Sequence, residues 1–187
     1  MNKRFELIPT PISGLHIVQR KPIVDNRGHL ERLFCADELR GILDHKNIAQ
    51  INHTLTVKCG TVRGLHFQYP PHSEIKLVTC LRGKVFDVAV DLRKNSPTFL
   101  HWHSEILSDS NNKTFLIPEG FAHGFQSLCE NCEMLYFHTK AYYPHSEGGL
   151  NAKDPILDIH WPLSISDQSP RDMAHPILTP DFTGVTL

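Results

Sequence analysis

Frequent prolines and glycines most constrain the fold of this chain. Thirteen prolines and eleven glycines in 187 residues divide it into short segments, most of which resemble strands. In residues 86–91, Phe86, Val88 and Val90 alternate with Asp87, Ala89 and Asp91, and turn residues follow at 95–97. This alternation is the pattern of a half-buried β-strand. Asp87 and Asp91 are interpreted as structural groups or as part of a solvated face of this strand. Many short strands separated by turns predict an all-β sandwich or barrel.

Helical signals are weak. Residues 37–44 are the one convincing helix candidate, because Leu39, Ile42 and Leu43 recur at helical spacing, although Gly41 weakens it. We expect this helix to be short and peripheral. Near the C-terminus, five prolines disfavour a long helix and predict loops, with a brief turn around residues 169–174. These prolines are Pro155, Pro162, Pro170, Pro176 and Pro180.

Length and charge bound the class of protein. A chain of 187 residues suits one substantial core and is short for two, so residues 1–187 are interpreted as one domain. Residues 155–187 are expected to form a proline-rich tail that packs on the barrel. Nineteen basic and twenty acidic side chains give a formal net charge of −1, without the basic stripe that nucleic acids or anionic membranes require. We therefore expect small-molecule partners, and neither nucleic acid nor membrane.

The start of the chain and its cysteines indicate a compartment. The apolar runs are too short to span a bilayer, and Lys3, Arg4 and Glu6 interrupt the start of the chain, which favours a soluble cytoplasmic protein. Five cysteines, an odd number, indicate reduced thiols. Cys129 and Cys132 form a single C-x-x-C without the second pair that a structural zinc site needs, so no function is assigned to them.

Two segments that contain histidine carry the chemistry. Residues 63–68 read Arg-Gly-Leu-His-Phe-Gln, residues 76–78 read Lys-Leu-Val, and residues 118–125 read Pro-Glu-Gly-Phe-Ala-His-Gly-Phe. Strands deliver alternate side chains to one face, so we expect ionisable groups at the mouth or in the interior of a small barrel. Buried polar clusters of this kind usually perform chemistry.

The spacing of these residues resembles the cupin superfamily. Gly60, His66, Gln68, Glu74 and Gly83 follow its first metal-binding motif, and the Pro-x-Gly-x-x-His of residues 118–123 follows its second. Gln68 stands where a second metal-binding histidine is usual, and glutamine is a poor ligand for zinc or iron. The resemblance implies a cupin-type jelly-roll β-barrel with a few short peripheral helices, and we expect no bound metal.

A longer series of motifs is more specific. In order along the chain these are Asp25-x-Arg27-Gly28, Gln50-x-Asn52, residues 62–68, residues 76–78, residues 85–93, residues 96–99, residues 117–125, Tyr136 and Asp154-Pro155. Over about residues 25–172 the chain resembles the dTDP-4-dehydrorhamnose 3,5-epimerase family, the RmlC-like sugar-nucleotide epimerases. The resemblance implies a cofactor-free homodimer that epimerises C3, C5 or both carbons of a nucleotide-linked 4-keto-6-deoxyhexose in deoxysugar biosynthesis.

The same resemblance implies catalytic roles. His66 matches the base, and Asp172 matches the carboxylate that orients it, with Asp167 as a nearby competitor. Lys76 matches the group that faces the sugar O4 and stabilises the enolate. Tyr136 matches the acid on the other face of the sugar. Each also has a structural interpretation: a barrel histidine, a helix cap, a solvated lysine or a half-buried strand tyrosine.

Substrate-binding positions are also implied. Guanidinium is a natural bidentate partner of phosphate, and the positions matching those that hold the diphosphate are Arg27, Arg63 and Tyr142. The remaining substrate-binding positions are Gln50, Asn52, Arg32 and His123. The family exchanges N-terminal strands between subunits, so Arg27 is expected to serve the site of the neighbouring subunit.

Two departures concern the nucleotide end of the site, and two alternative functions stay open. Arg32 occupies a position where the family usually has glutamate, and Ala141 one where an aromatic ring commonly stacks on thymine. We therefore favour dTDP and leave GDP and CDP open.

One alternative is a metal-dependent cupin isomerase or dioxygenase that uses His66, Glu74 and His123. The other is a non-catalytic cupin that binds sugar nucleotides.

Overall fold

Antiparallel strands dominate the computed structural model, which describes residues 3–187. Two four-residue helices, α1 (Ala36–Leu39) and α2 (Pro170–Met173), and one 3-10 turn, Pro144–Ser146, accompany them. The strands are β1 (Phe5–Pro9), β2 (His16–Arg20), β3 (Ile23–Asp25), β4 (Gly28–Leu30), β5 (Gln50–Thr56), β6 (Val62–Gln68), β7 (Lys76–Arg82), β8 (Lys84–Asp91), β9 (Trp102–Ser108), β10 (Lys113–Ile117), β11 (Phe121–Ser127), β12 (Cys132–His138) and β13 (Glu147–Gly149). Neither helix within residues 3–187 has the length and apolar character needed to cross a membrane.

The strands form two sheets that face each other. One has six strands in the order β1-β2-β10-β7-β12-β5, and the other has five in the order β13-β6-β11-β8-β9. All pairings between these strands are antiparallel. Within the described residues 3–187, strands β3 and β4 pair only with each other, as a separate hairpin. The chain passes repeatedly from one sheet to the other, and the prediction of an all-β, cupin-type jelly roll is confirmed.

A core of large apolar side chains lies between the sheets. Val78, Phe115 and Met134 come from the six-stranded sheet, and Val85 and Phe125 come from the five-stranded sheet. Each is at most 1% exposed, and burying such a side chain contributes about 1.5–3 kcal/mol. This core fixes the distance between the strands that line the pocket described below.

The C-terminal tail covers the outer face of the five-stranded sheet. Leu157, Leu178 and Val185 of the tail belong to one buried cluster with Val88 and Val90 of β8. A short parallel bridge between Arg93 and Val185 ties the end of the tail to the barrel.

Strand β8 is consequently buried on both faces, so the prediction of a half-buried strand is wrong. Asp87 and Asp91 are both 0% exposed, and the solvated alternative for them is wrong as well. Asp91 accepts hydrogen bonds from Arg93 Nη2 at 2.7 Å, Ser96 Oγ at 2.6 Å and Thr98 Oγ1 at 2.7 Å. These donors offset the cost of burying the carboxylate.

The helix predicted over residues 37–44 is shorter in the structure. Helix α1 ends at Leu39, because Gly41 has low helix propensity and the backbone turns left-handed at Asp44, with φ of 50°, and His45, with φ of 58°. The apolar residues that suggested the helix still pack on the six-stranded sheet. Leu39 and Leu43 are buried there, and Ile42 is partly buried against the same cluster.

Candidate active site

A pocket of about 660 Å³ opens between the two sheets, within the size range of ligand-binding clefts. Strands β6 and β11 supply one wall, strands β5, β7 and β12 supply the other, and the segment 167–172 closes one side. Nine of the eleven predicted site residues line it: Gln50, Asn52, Arg63, His66, Lys76, His123, Tyr136, Tyr142 and Asp172. Alternate residues of a strand point to the same face, which explains how residues far apart in sequence meet here.

His66 and Asp172 form a hydrogen-bonded pair. Helix α2 begins after Ser169, whose Oγ accepts the Asp172 N–H at 3.0 Å, in agreement with the brief turn predicted there. The Asp172 carboxylate lies 2.7 Å from His66 Nε2 through Oδ1 and accepts the Gly64 N–H through Oδ2 at 3.2 Å. Burial alone would raise the pKa of Asp172, but the hydrogen bond and charge of His66 and the N–H of Gly64 lower it overall. Asp172 is therefore ionised and holds the imidazole in place.

The competing carboxylate, Asp167, has a different partner. Its Oδ2 lies 2.9 Å from Lys58 Nζ, and both side chains are substantially exposed. A surface ion pair of this kind is screened by solvent and contributes little to stability. The geometry therefore brings Asp172, and not Asp167, to His66.

Lys76 is buried in a chain of polar contacts. Its Nζ lies 3.3 Å from Glu74 Oε1 and donates to the His66 carbonyl at 3.3 Å. The second oxygen of Glu74, Oε2, lies 2.9 Å from His138 Nδ1. Burial alone would raise the pKa of Glu74, but the hydrogen bonds and charges of His138 and Lys76 lower it overall. The Glu74 carboxylate thus holds the ammonium in the pocket wall.

Tyr136 lines the pocket from β12 of the six-stranded sheet, opposite His66 on β6 of the five-stranded sheet. Burial, followed by the charge of Asp87, raises the pKa of Tyr136 well above its usual range, so the phenol keeps its proton. Its ring is edge-on to His123, with 6.1 Å between ring centroids, and nearly parallel to His138 at the same separation.

His123 is paired with a buried carboxylate. Its Nε2 lies 2.8 Å from Asp87 Oδ1, and Asp87 is fully enclosed. Burial raises the pKa of Asp87, and the charge and hydrogen bond of His123 act in the opposite direction. The pair is fixed by the β11–β8 pairing, in which Phe125 lies opposite Asp87 and His123 opposite Ala89.

The mouth of the pocket carries the remaining polar groups. Arg63 Nε donates to Thr56 Oγ1 at 3.0 Å. Gln50 Nε2 donates to Asn52 Oδ1 at 3.1 Å, and Gln50 Oε1 accepts the Tyr142 N–H at 2.9 Å. The exposed Tyr142 hydroxyl donates to Glu147 at 2.7 Å, and this bond raises the pKa of Tyr142. These hydrogen bonds hold the Arg63 guanidinium and the Tyr142 ring at the entrance of the pocket.

Two predicted residues lie outside the pocket of their own chain. Arg27 is on the β3–β4 hairpin, where it pairs with Asp25 and its side chain is 85% exposed. Arg32 pairs with Glu38 of α1. One chain alone therefore brings neither guanidinium to the other nine residues.

Three contributors to the site were not predicted: Glu74 and His138 line the pocket, and Asp87 is the partner of the pocket residue His123. Glu74 was considered only as a metal ligand, Asp87 only as a structural or solvated group, and His138 was not considered as a site residue. The signal for His138 was its shared parity with Tyr136 on one strand. Glu74 and Asp87 are recognised only from their histidine partners, which are 64 and 36 residues away.

The metal-binding trio of the alternative hypothesis is not assembled. Glu74 is held by Lys76 and His138, while His123 is held by Asp87. Across residues 3–187, His66, Glu74 and His123 do not form a group of ligand atoms close enough to share one ion.

The fold and the pocket together define a cupin-type enzyme in which ionisable groups of two facing sheets meet. The chain belongs to the dTDP-4-dehydrorhamnose 3,5-epimerase family, whose model matches residues 9–179. It is 41% identical to the dTDP-4-dehydrorhamnose 3,5-epimerase of Salmonella typhimurium over 174 residues, which cover 92% of this chain and 94% of the relative.

Solved structures agree. The dTDP-4-dehydrorhamnose 3,5-epimerase of Bacillus anthracis, with TDP and PPi bound, superposes with a TM-score of 0.89 at 33% identity and covers 93% of this chain and 99% of its own. The dTDP-6-deoxy-D-glucose-3,5-epimerase RmlC of Legionella pneumophila, in complex with dTDP-4-keto-L-rhamnose, gives 0.87 at 39% identity and covers 92% of each chain. The resemblance found in the sequence is confirmed.

Proposed function

We propose that this enzyme inverts C3 and C5 of a dTDP-linked 4-keto-6-deoxyhexose, in deoxysugar biosynthesis of the dTDP-rhamnose type. The observation that carries the proposal is the meeting of His66, Lys76 and Tyr136 in one pocket, with His66 on the five-stranded sheet and the other two on the six-stranded sheet. Epimerisation beside a ketone needs a base, a group that stabilises the enolate, and an acid that returns a proton to the opposite face. These three side chains supply those three functions.

His66 is proposed as the base. Its Nε2 is directed at the ionised Asp172, so the proton of the neutral ring resides on Nε2 and Nδ1 is the nitrogen that takes a proton from the sugar. Asp172 then stabilises the imidazolium that forms. The pocket exposes one third of the His66 side chain, which leaves the ring accessible to substrate.

Lys76 and Tyr136 are proposed to complete the reaction. As the C4 ketone becomes an enolate, negative charge develops on O4, and the buried Lys76 ammonium stabilises it more strongly than water does. Glu74 and His138 keep that ammonium in position. The phenol of Tyr136 retains its proton because burial raises its pKa, and it delivers that proton to the opposite face of the enolate.

The nucleotide is proposed to enter at the mouth. Arg63 and Tyr142 are positioned there for the diphosphate, Gln50 and Asn52 for further polar contacts, and His123 for the sugar deeper in the pocket. The TDP and dTDP-sugar complexes of the relatives support dTDP. Isothermal calorimetry with dTDP, GDP and CDP tests this, because tighter binding of GDP or CDP would contradict it.

A homodimer is proposed to complete the site. The β3–β4 hairpin pairs with no other strand in residues 3–187, and Val24 and Leu30 on it are 72% and 71% exposed. We propose that the hairpin packs on a second copy of the chain and carries Arg27 to the partner's pocket. Mixing Arg27→Ala protein with His66→Asn protein would then restore one intact site per heterodimer. Activity of the mixture equal to the sum of the two separate variants would contradict the exchange.

The cytoplasm is the proposed location. All five cysteines are free thiols, and Cys129 Sγ and Cys132 Sγ lie 3.4 Å apart without a disulfide. This supports a reducing compartment. Fractionation of the source cells, followed by immunodetection, tests the proposal, and recovery outside the cytoplasm would contradict it.

Incubation with dTDP-4-keto-6-deoxyglucose in deuterated water tests the reaction itself. Deuterium at both C3 and C5, with an inverted configuration read by NMR, is the expected result. Label at C3 alone would restrict the enzyme to one carbon and contradict the double inversion. Absence of label in folded protein would contradict the proposed substrate.

A further inference from the structure

His175 is a second histidine beside the His66–Asp172 pair. It lies two residues beyond α2, its side chain is 14% exposed, and its ring is edge-on to His66 with 5.5 Å between centroids. The ring packs on Gly149, the residue that pairs with His66 across strands β13 and β6. A Cβ at position 149 would overlap the ring, so this glycine leaves the space that His175 fills.

The polar atoms of the three side chains converge. His66 Nε2 lies 2.7 Å and His175 Nε2 3.8 Å from the same oxygen, Asp172 Oδ1. The three candidate ligand atoms all lie within 4.8 Å of one another. His175 Nε2 is buried and has no hydrogen-bond partner, a situation that costs about 1–3 kcal/mol for a polar group. A ligand that bonds to this nitrogen removes that cost, and its binding free energy is more favourable for that reason.

The donor set selects a chemical class of ligand. Two imidazole nitrogens and one carboxylate oxygen suit zinc and its first-row neighbours cobalt and nickel, whereas calcium and magnesium prefer oxygen ligands. Metal–ligand bonds of about 2.0–2.2 Å require the three atoms to close around a central ion by small side-chain movements. Asp172 is anchored by the Gly64 N–H, and His66 is reached from the open pocket.

We propose that His66, Asp172 and His175 bind one divalent transition-metal ion of the zinc class, and that this ion switches the epimerase off. A neutral imidazole that ligates through Nε2 carries its proton on Nδ1. Nδ1 is the nitrogen proposed to accept the proton of the sugar, so metal-bound His66 has no free base. The inhibition rests on the proposed function, whereas the binding of the ion does not.

Binding is tested first, without reference to activity. Purified protein is treated with a chelator, dialysed and titrated with Co²⁺, whose visible absorption reports an ordered nitrogen ligand environment, and with Zn²⁺ by calorimetry. One equivalent is expected to bind the wild-type protein. His175→Ala should weaken binding by about 10-fold or more, since loss of even an outer contact to a metal ligand costs about 10- to 100-fold.

The matched control is His160→Ala. His160 is an exposed histidine whose side chain is 79% accessible and pairs with Asp158, so its loss should leave the binding of either ion unchanged. Equal affinity in wild type and His175→Ala, or an equal loss in His160→Ala, would overturn the site. Circular dichroism of each variant verifies that the fold is retained.

Inhibition is tested second. Each protein is compared with its own metal-free rate, and Zn²⁺ is expected to abolish turnover of the wild type at concentrations that leave most of the activity of His175→Ala. Full turnover by protein saturated with Zn²⁺ would overturn the inhibitory half of the proposal. A protein that binds Co²⁺ through His175 but lacks epimerase activity when metal-free would contradict the proposed function and leave the metal site intact.

Discussion

Replacing Asp172 by asparagine is the most direct test of the His66–Asp172 pair, because it changes charge and proton position at almost constant volume. In the structure both neighbours of the carboxylate are satisfied by its oxygens: the Gly64 N–H at Oδ2 and His66 Nε2 at Oδ1. An asparagine has one acceptor oxygen and one donor NH₂. With its oxygen on the Gly64 N–H, its NH₂ faces His66 Nε2, and the proton of the imidazole moves to Nδ1.

The expected loss has two parts. Removing a charged hydrogen-bond partner costs about 1.5–3 kcal/mol, which corresponds to about 10- to 150-fold in rate. The wrong tautomer adds to this, since the same substitution in a Ser-His-Asp triad lowers kcat by about 10⁴-fold. We therefore expect Asp172→Asn to lower kcat by about 10²- to 10⁴-fold.

The assay is steady-state deuterium exchange and inversion followed by NMR, with thermal unfolding as a check on the fold. Asp167→Asn is the control, because Asp167 lies in the same segment but pairs with exposed Lys58. It should change kcat by less than about 3-fold, as expected for a surface ion pair. A loss below about 10-fold for Asp172→Asn, or equal losses for the two variants, would refute the role of the pair.

Three further substitutions probe other groups. Tyr136→Phe should lower the rate of inversion by about 10²-fold or more, while deuterium exchange that depends on His66 continues. Both are read by NMR, and an unchanged rate of inversion would show that the phenol takes no part in the reaction. Glu74→Gln removes the negative charge that holds the Lys76 ammonium, so kcat/KM should fall by about 10-fold or more in steady-state kinetics, and wild-type kinetics would contradict the positioning role. Asp91→Asn should lower the free energy of unfolding by about 2 kcal/mol at pH 7, as measured by urea denaturation. Burial alone would raise the pKa of Asp91, but its guanidinium and hydroxyl partners lower it overall, so this difference is present above about pH 4 and disappears as pH falls through the lower folded pKa; a difference that is independent of pH would contradict the assignment.

Residues whose placement depends on local alternation were predictable from the sequence. His66, Lys76 and Tyr136 lie on regular strands, and strand periodicity fixes the face to which each side chain points. Asp172 is 106 residues from His66 in sequence, and its pairing was predicted only through the resemblance to a family. No local pattern specifies that contact.

The features that sequence analysis missed depend on tertiary packing. Asp87 and Asp91 share a face of β8 with Val85 and Ala89 of the core between the sheets, and the C-terminal tail covers Val88 and Val90 on the other face. Alternation within one strand cannot report what covers either face. The contact of Glu74 with His138 depends on the register between β7 and β12, in which Lys76 lies opposite His138. The short α1 reflects the low intrinsic stability of one isolated turn.

The two-sheet construction gives the stereochemistry a mechanical origin. The proposed base and acid, His66 and Tyr136, belong to different sheets, so the distance between them depends on the core between the sheets, to which Val78, Phe115 and Met134 contribute. Packed interiors have low compressibility, so the core holds the two proton-transfer groups at a fixed separation. We therefore expect substitutions that change the thickness of this core to alter which carbon is inverted even where the pocket residues stay the same.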